Sequence, residues 1–422
     1  MELTLRHCDF IVSADKIYEN TNLVIQGNTI KTIGDYIEGD ELECKGKIVI
    51  PGLVNTHTHL GMTFLRGYYD DADFPLWIHK MWESERKATR EILSLSTEIA
   101  ILEAISSGTT AIFDMYFNPE DVKEFSNKYG IRTYGGYVFL DSRNDPFEID
   151  KLNRMLKPTE LFTPIINIHS IYSTSETTLK LASQLAREAN RKVQIHMSET
   201  REEVFNTKKK YGMTPIQYLN KLVDINEKWE LVHLGWVTNW EIEILKRVNA
   251  TAVHCPTSNM KLATAGTFPM RTFLEEGINV TLGTDGPASN NSLDMFREMK
   301  TAVLLQRNTY WNYDIGAKEV ISASTRNGYR YAGLNAGYVK EGWLADLVVL
   351  DSKGLRPLSK ERVLSSIVYN AVGENVDTVI VNGQIVYKKG MFNEKLNALY
   401  AELEGILFKG ENVTSNELQI PL

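Results

Sequence analysis

Cysteine is scarce in this chain: only Cys8, Cys44 and Cys255 are present. Three scattered thiols are too few for a disulfide framework or a cysteine zinc site. Basic charge is also in deficit, with 46 Lys and Arg against 54 Asp and Glu and a net charge of −8. That balance argues against a nucleic-acid or anionic-membrane partner, because counterion release needs a basic face. No uncharged apolar run approaches the ~20 residues that span a bilayer. The opening Met1-Glu2-Leu3-Thr4-Leu5-Arg6 has no basic segment followed by an apolar core, so no signal peptide is read. Internal repeats and low-complexity segments are missing as well, and Lys208-Lys209-Lys210 reads as a solvated helix face. These absences point to a cytoplasmic globular protein in a reducing compartment.

What is there is ordinary globular composition, 43% hydrophobic and 24% charged over 422 residues. That length accommodates one large domain and a smaller one. The first fifty residues read as short strands: Leu23-Val24-Ile25 runs into the turn Gln26-Gly27-Asn28, and Lys47-Ile48-Val49-Ile50 follows an acidic, loop-like stretch over 35–43. The far end has the same texture. Asp346-Leu347-Val348-Val349-Leu350-Asp351 and Thr378-Val379-Ile380-Val381 are β-branched runs, and Asn382-Gly383 is a two-residue hairpin signal before Gln384-Ile385-Val386-Tyr387. Both ends are therefore expected to build one small β domain. Between them eight short apolar runs alternate with amphipathic stretches: 53–59, 110–116, 132–140, 163–170, 192–199, 230–237, 250–259 and 278–285. This alternation suggests an α/β fold, a (β/α)₈ TIM barrel. The expected division is 1–50 for the first part of a β-sandwich, 51–339 for the barrel, and 340–422 for the second β part and a C-terminal tail.

The most informative feature is His57-Thr58-His59, which closes the run 53–59. Side chains two apart on a strand share a face, so both imidazoles aim at one point. A lone His-x-His pair is weak, since histidines also occupy surface or satisfied core positions. Of the eight histidines, however, six (His57, His59, His169, His196, His233 and His254) fall in or just after apolar runs. The run Val193-Gln194-Ile195-His196-Met197-Ser198-Glu199 adds a third imidazole with a carboxylate beyond it, and the last run ends Gly283-Thr284-Asp285-Gly286. An Asp before Gly is by default a turn residue. Taken together at matched strand ends, His57, His59, His196 and Asp285 make a nitrogen-and-oxygen donor set that leaves room for water, as a catalytic metal site does.

These segments resemble the metal-dependent amidohydrolase superfamily, and within it the methylthioadenosine/S-adenosylhomocysteine deaminase group that neighbours the triazine hydrolases. The resemblance rests on Pro51-Gly52-Leu53-Val54-Asn55-Thr56-His57-Thr58-His59, His196-Met197-Ser198-Glu199, His254-Cys255-Pro256-Thr257-Ser258-Asn259-Met260-Lys261-Leu262, Gly283-Thr284-Asp285-Gly286 and Asn291-Ser292-Leu293-Asp294-Met295-Phe296. Gly342-Trp343-Leu344-Ala345-Asp346-Leu347-Val348-Val349-Leu350 matches the group's C-terminal β segment. The resemblance implies His57, His59, His196 and Asp285 as ligands of one divalent metal, zinc or iron. It implies Glu199 as the proton shuttle to a ring nitrogen, His233 as the residue orienting the attacking water, and Asp285 as the proton carrier to the departing amine. Two-metal relatives carry a modified lysine on the fourth strand. Here that run ends Ile168-His169-Ser170, so one metal is expected. Such chemistry needs hydroxide at neutral pH, which a metal supplies by lowering the pKa of bound water towards ~7.

Substrate contacts follow by position. His169 matches the fourth-strand histidine that contacts ring or sugar. Glu85, in Trp82-Glu83-Ser84-Glu85, stands where the group's Trp-Pro-x-Glu holds ribose hydroxyls, with Glu83 replacing the proline. Trp77 is a stacking candidate or a core residue, and Arg143 a candidate for a substrate carboxylate. His254 and Cys255 read as structural support. The expected function is hydrolytic deamination of an adenine nucleoside of the methylthioadenosine, adenosine or S-adenosylhomocysteine type. The alternatives are another aminated heterocycle (guanine, cytosine, a pterin or a triazine) and, more remotely, a non-catalytic scaffold. The expected partner is a small-molecule substrate, with the protein forming a homo-oligomer.

Overall fold

The two ends of the chain meet in one mixed sheet of eight strands, in a computed structural model that describes residues 2–13 and 15–409. The N-terminal part supplies Glu2–Val12, Ile17–Gln26, Thr29–Gly34, Asp40–Glu43 and Lys47–Pro51; the C-terminal part supplies Leu347–Asp351, Val376–Val381 and Gln384–Lys388. They join where Lys47–Pro51 pairs antiparallel with Leu347–Asp351, Val49 opposite itself in kind at Val349. Asn382 and Gly383 both have positive φ, 54° and 75°, as the tight turn between Val376–Val381 and Gln384–Lys388 requires. The acidic stretch 35–43 departs from the loop expectation. Asp40–Glu43 lies as a parallel strand beside Leu3–Arg6, where the Arg6–Glu41 ion pair offsets acidic charge on a short edge strand.

All eight apolar runs of the middle segment form parallel strands. They are Leu53–Thr58, Thr109–Asp114, Arg132–Gly135 with its continuation Val138–Phe139, Ile166–Ser170, Val193–Met197, Trp229–His233, Thr251–His254 and Asn279–Leu282. The third is interrupted, and Asn167 and Asn153 satisfy the break: Asn167 Nδ2 donates to Gly136 O at 2.9 Å, and Asn153 Oδ1 accepts from Tyr137 N at 3.0 Å. Gly136 is required there, since a Cβ would stand 2.1 Å from Ile165 O.

The first and last strands of this set come together. Thr56 Oγ1 donates to Thr281 Oγ1 and Leu282 O (2.8 and 2.9 Å), and Asp285 N donates to His57 O at 3.0 Å. A Cβ on Gly283 would lie 2.9 Å from His57, so only glycine allows that approach. The domain is α/β and TIM-barrel-like. Helices separate its strands. Glu176–Glu188 begins at Ser175, whose Oγ accepts from Thr178 N, and buries Leu179, Ala182, Leu185 and Ala186 at helical spacing.

A buried ion pair ties the terminal sheet to these strands. Arg132 Nε donates to Asp346 Oδ2 at 2.6 Å, Tyr329 OH donates to the same oxygen at 2.8 Å, and Asn382 N donates to Asp346 Oδ1 at 2.7 Å. The chain then runs into helix Asn393–Leu407, which buries Leu399 and Leu403. The expected tail over 410–422 lies outside the described residues. Among the described residues, no helix is long and apolar enough to cross a membrane.

Candidate active site

His57, His59, His196 and Asp285 stand at or just past the C-terminal ends of parallel strands, the end at which such folds place their chemistry. His57 Nε2 lies 3.1 Å from His196 Nε2 and 3.3 Å from Asp285 Oδ1, and His59 Nε2 lies 3.0 Å from the same oxygen. One donor atom from each of these four residues falls within 4.8 Å of every other. Three strands of different sequence position thus deliver a compact N₃O set.

The far sides of three of the four, His57, His59 and Asp285, are held by groups that orient them. His57 Nδ1 donates to Gln194 Oε1 at 2.8 Å, and His59 Nδ1 donates to Met115 O at 2.6 Å. Both rings thereby turn Nε2 to the centre, the nitrogen that a metal would meet. Gln194 is itself locked, its Nε2 donating to Thr56 O at 3.0 Å and to the carboxyl of Glu230. Asp285 Oδ2 accepts from Ser258 Oγ at 2.5 Å and Ser289 Oγ at 2.9 Å, which leaves Oδ1 for the centre.

The electrostatics of the set suit a cation. Burial depresses His57 to about 4 and His196 well below its ordinary value, so both are neutral ligands at pH 7. Burial alone would raise Asp285, but hydrogen bonds from His57 and His59 hold it well below the usual carboxylate range. Burial also works against charge on His59, yet its hydrogen bonds to Asp285 and Met115 O push it up to about 9. A proton shared by His59 and Asp285 thus stands where a metal would bind, and the metal must displace it. The donor set and its anionic member fit one divalent cation.

Glu199 and His233 flank this centre. Glu199 is pushed up to about 8 by burial and by the nearby Asp285 carboxylate, so it carries a proton at pH 7. Its Oε1 lies 3.8 Å from His233 Nε2. His233 Nδ1 accepts from Asn259 Nδ2 at 3.1 Å, which leaves Nε2–H facing the cavity. Three residues of this cluster carry strained backbone: Ser198, His233 and Asp285 have φ of 51°, 79° and 59°. The strain is held by cross-strand bonds, Leu234 N to Met197 O and Trp236 N to Ser198 O, both 3.0 Å. Glu203 accepts from the amides of Ser198 and Glu199 at 3.0 and 2.9 Å, fixing the turn that carries Glu199.

A cleft of about 640 Å³, its mouth included, opens over these groups and touches Trp77, Glu85, His169, His196, Glu199, His233 and Asp285. Glu85 comes from helix Phe74–Lys87, is only 5% exposed, and accepts from Tyr116 OH at 2.8 Å. Trp77 lies one face along the same helix, with its ring near Phe74. His169 is kept neutral by burial, depressed to about 3, and holds Ser173 Oγ at 2.8 Å. Arg143 does not line the cleft; it stacks on Phe117 at 3.6 Å with a nitrogen 3.8 Å from Glu85 Oε2. His254 stacks on Phe268 and Cys255 is buried, consistent with support.

Several site residues escaped sequence reasoning. Gln194 sits two before His196 on one strand, so period-two alternation places both on one face, and a polar residue there was a usable signal. Ser258 and Asn259, within the quoted seventh-strand motif, lacked any signal of their roles. Tyr116 and Tyr172 also line the cleft without having been singled out, and Trp82, quoted only as part of the Glu85 motif, lines it too.

A buried N₃O metal set beside a protonated glutamate, at the mouth of parallel strands, defines a metal-dependent hydrolase. The amidohydrolase family model matches residues 48–386, and the chain belongs to that family. It is 38% identical over 396 residues to a 5-methylthioadenosine/S-adenosylhomocysteine deaminase of Pyrococcus furiosus, covering 90% of this chain and 92% of the relative. It is 34% identical over 412 residues to a 5′-deoxyadenosine deaminase of Methanosphaera stadtmanae, covering 93% and 96%. Among solved structures, an adenosine deaminase from Xanthomonas campestris with bound zinc superposes with TM-score 0.90 at 26% identity, covering 96% of this chain and 98% of that one.

Proposed function

We propose that this protein hydrolytically deaminates adenine nucleosides, releasing ammonia, with one divalent metal, zinc rather than iron. The observation that carries the reading is the convergence of His57, His59, His196 and Asp285 with Glu199 and His233 around one cleft. The relatives' printed activities support the substrate class, and the zinc of the Xanthomonas campestris enzyme supports the metal. A cation held by the four ligands would supply acidified water as the nucleophile.

The chain's own residues do the rest. Glu199, protonated at neutral pH, donates to the ring nitrogen beside the carbon under attack, so charge is not stranded on the ring as the tetrahedral centre forms. His233, fixed by Asn259, points Nε2–H at the attacking oxygen. Asp285, anchored by Ser258 and Ser289, takes a proton at its carboxylate and passes it to the departing amine. Glu85 receives the ribose hydroxyls, and His169, neutral and donating from its free edge, meets the ring or sugar. Trp77 packs against the bound substrate.

The same reading closes the eight parallel strands into a full (β/α)₈ barrel over 51–339. It folds the terminal sheet into a β-sandwich, its first part from 1–50 and its second from the segment 340–422 that ends in a C-terminal tail. The test is direct: metal-loaded protein is incubated with adenosine, 5′-methylthioadenosine and adenine, and ammonia and the hydroxypurine product are measured. One ammonia per hypoxanthine nucleoside formed, with nucleosides far ahead of adenine, is expected. Equal rates on the free base, or no ammonia from any nucleoside, would remove the reading.

A further inference from the structure

The lysine of Asn259-Met260-Lys261-Leu262 has no part in the chemistry proposed above, yet its ammonium is fully engaged. Lys261 Nζ donates to Asp70 Oδ1 at 2.7 Å, to Ala288 O at 3.1 Å and to Asn291 Oδ1. An ammonium has three donors, and here each meets its own acceptor. Asn291 Nδ2 donates in turn to Asp70 Oδ2 at 2.6 Å, so the three side chains close a ring. The members come from three segments. Lys261 ends helix Pro256–Lys261, whose Ser258 and Asn259 hold Asp285 and His233. Asn291, at φ 68°, closes helix Pro287–Asn290, whose Ser289 also holds Asp285. Asp70 lies just before Asp73, which caps helix Phe74–Lys87 by accepting from Leu76 N at 3.0 Å. That helix is one wall of the cleft: Phe74, Trp77, Ile78, Met81, Trp82 and Glu85 recur at helical spacing and all line it.

We propose that Lys261 is a positioning residue for substrate. Through Asp70 it registers helix Phe74–Lys87 against the two short helices that hold Asp285 and His233, and so sets where Glu85 and Trp77 stand over the metal centre. This rests on the adenine-nucleoside reading above and deepens it. The helix does have an apolar seat, since Trp77 and Met81 pack with Met62, Leu65, Leu262 and Ala288. Apolar contact is non-directional, however, and tolerates a slide along the helix axis. Hydrogen bonds are directional and fix a register. Glu85, accepting from Tyr116 OH at 2.8 Å, pins the C-terminal half of the helix. The ring pins the chain entering its N-terminal half. Among the described residues, no other side-chain hydrogen bond joins 66–84 to the two short helices. An exposed ion pair would be worth little. This one is shielded, with the side chains of Lys261 and Asp70 only 20% and 28% exposed, and Asn291 braces both. If the ring is cut, the helix spends less time in its seat, and apparent affinity falls with the seated fraction.

The experiment compares zinc-loaded wild type, Asp70→Ala, Lys261→Met and the double variant, by kinetics on 5′-methylthioadenosine and by amide hydrogen exchange. Asp70→Ala frees the helix but leaves Lys261 joined to Ala288 O and Asn291, so the supports of Asp285 stay. It should raise KM by ~10-fold with kcat within about twofold and zinc content unchanged. Exchange across 74–87 should quicken in the same variant. Lys261→Met should raise KM to a similar degree. The double variant should go no further than the larger single effect, because both changes cut one tie. Unchanged KM and unchanged exchange in Asp70→Ala overturn the proposal, as does a double variant whose KM rise is the product of the two. A fall in kcat or zinc content without a rise in KM in Asp70→Ala also overturns it, by placing the ring in support of Asp285. If the wild type frees no ammonia from any adenine nucleoside, the deaminase reading fails instead, and hydrogen exchange still decides whether the ring holds the helix.

Discussion

Replacing Glu199 by glutamine isolates proton transfer from every other role the residue has. The two side chains match in size, and the turn survives because Glu203 binds the Glu199 amide, not its side chain. Metal content should therefore stay at the wild-type level. Turnover should fall by ~10²- to 10⁴-fold, the usual contribution of a positioned general acid, or about 2.7 to 5.4 kcal/mol of barrier. A second consequence concerns stability. Burial and the Asp285 carboxylate lift Glu199 from 4.5 to about 8, so folding takes up a proton between those pH values. In metal-free protein the wild type should lose stability across that window as pH rises, by at most ~1.4 kcal/mol per pH unit, and the loss should be complete above about 8. Glutamine has no such dependence, so Glu199→Gln should gain on the wild type between pH 5 and pH 8. Urea unfolding of both metal-free proteins at those two pH values measures the gain. Wild-type activity within tenfold, or a stability difference that does not move with pH, would refute the assignment of Glu199 as a buried, protonated acid.

His196→Ala should lower both metal content and turnover, since it leaves three ligands; full zinc occupancy with normal activity, read by elemental analysis and ammonia release, would contradict the site. Gln194→Leu keeps all four ligands but frees the His57 ring, and should weaken metal affinity by ~10- to 100-fold in a chelator competition. Glu85→Ala should raise KM and lower kcat/KM for nucleosides while metal content holds; no kinetic effect would return Glu85 to a purely structural role paired with Tyr116. Arg132→Met strands the Asp346 carboxylate in the interface between sheet and strands. It should cost about 3 to 5 kcal/mol by denaturant unfolding, and a loss under 1 kcal/mol would show that the interface does not depend on the pair.

The metal centre was readable because its residues obey strand arithmetic. His57 and His59 share a face by period two, His196 and Asp285 end later apolar runs, and strand order does the rest. The eight parallel strands were legible for the same reason, as short β-branched runs between amphipathic stretches. What failed was local. Asp40–Glu43 is a strand despite its charge, because its register is dictated by Leu3–Arg6, far earlier in the chain, and not by its own composition. The break at Gly136 depends on Ile165 O and Asn167, neither of them neighbours in sequence. The supports of the centre were hidden in the same way: Ser258, Ser289 and Asn259 are ordinary polar residues until the short helices Pro256–Lys261 and Pro287–Asn290 bring them to Asp285 and His233. Glu85 is intermediate, since its motif position was visible, but its burial against Tyr116 was not.

The central claim is that one metal, held by these four ligands, makes the chain a nucleoside deaminase. It is tested by stripping the protein with a chelator and titrating Zn²⁺ back while following ammonia from 5′-methylthioadenosine. The expected result is no release from the stripped protein and activity that rises to saturation at one zinc per chain. Release from metal-free protein, or a fully loaded chain that frees no ammonia from any adenine nucleoside, would contradict the account.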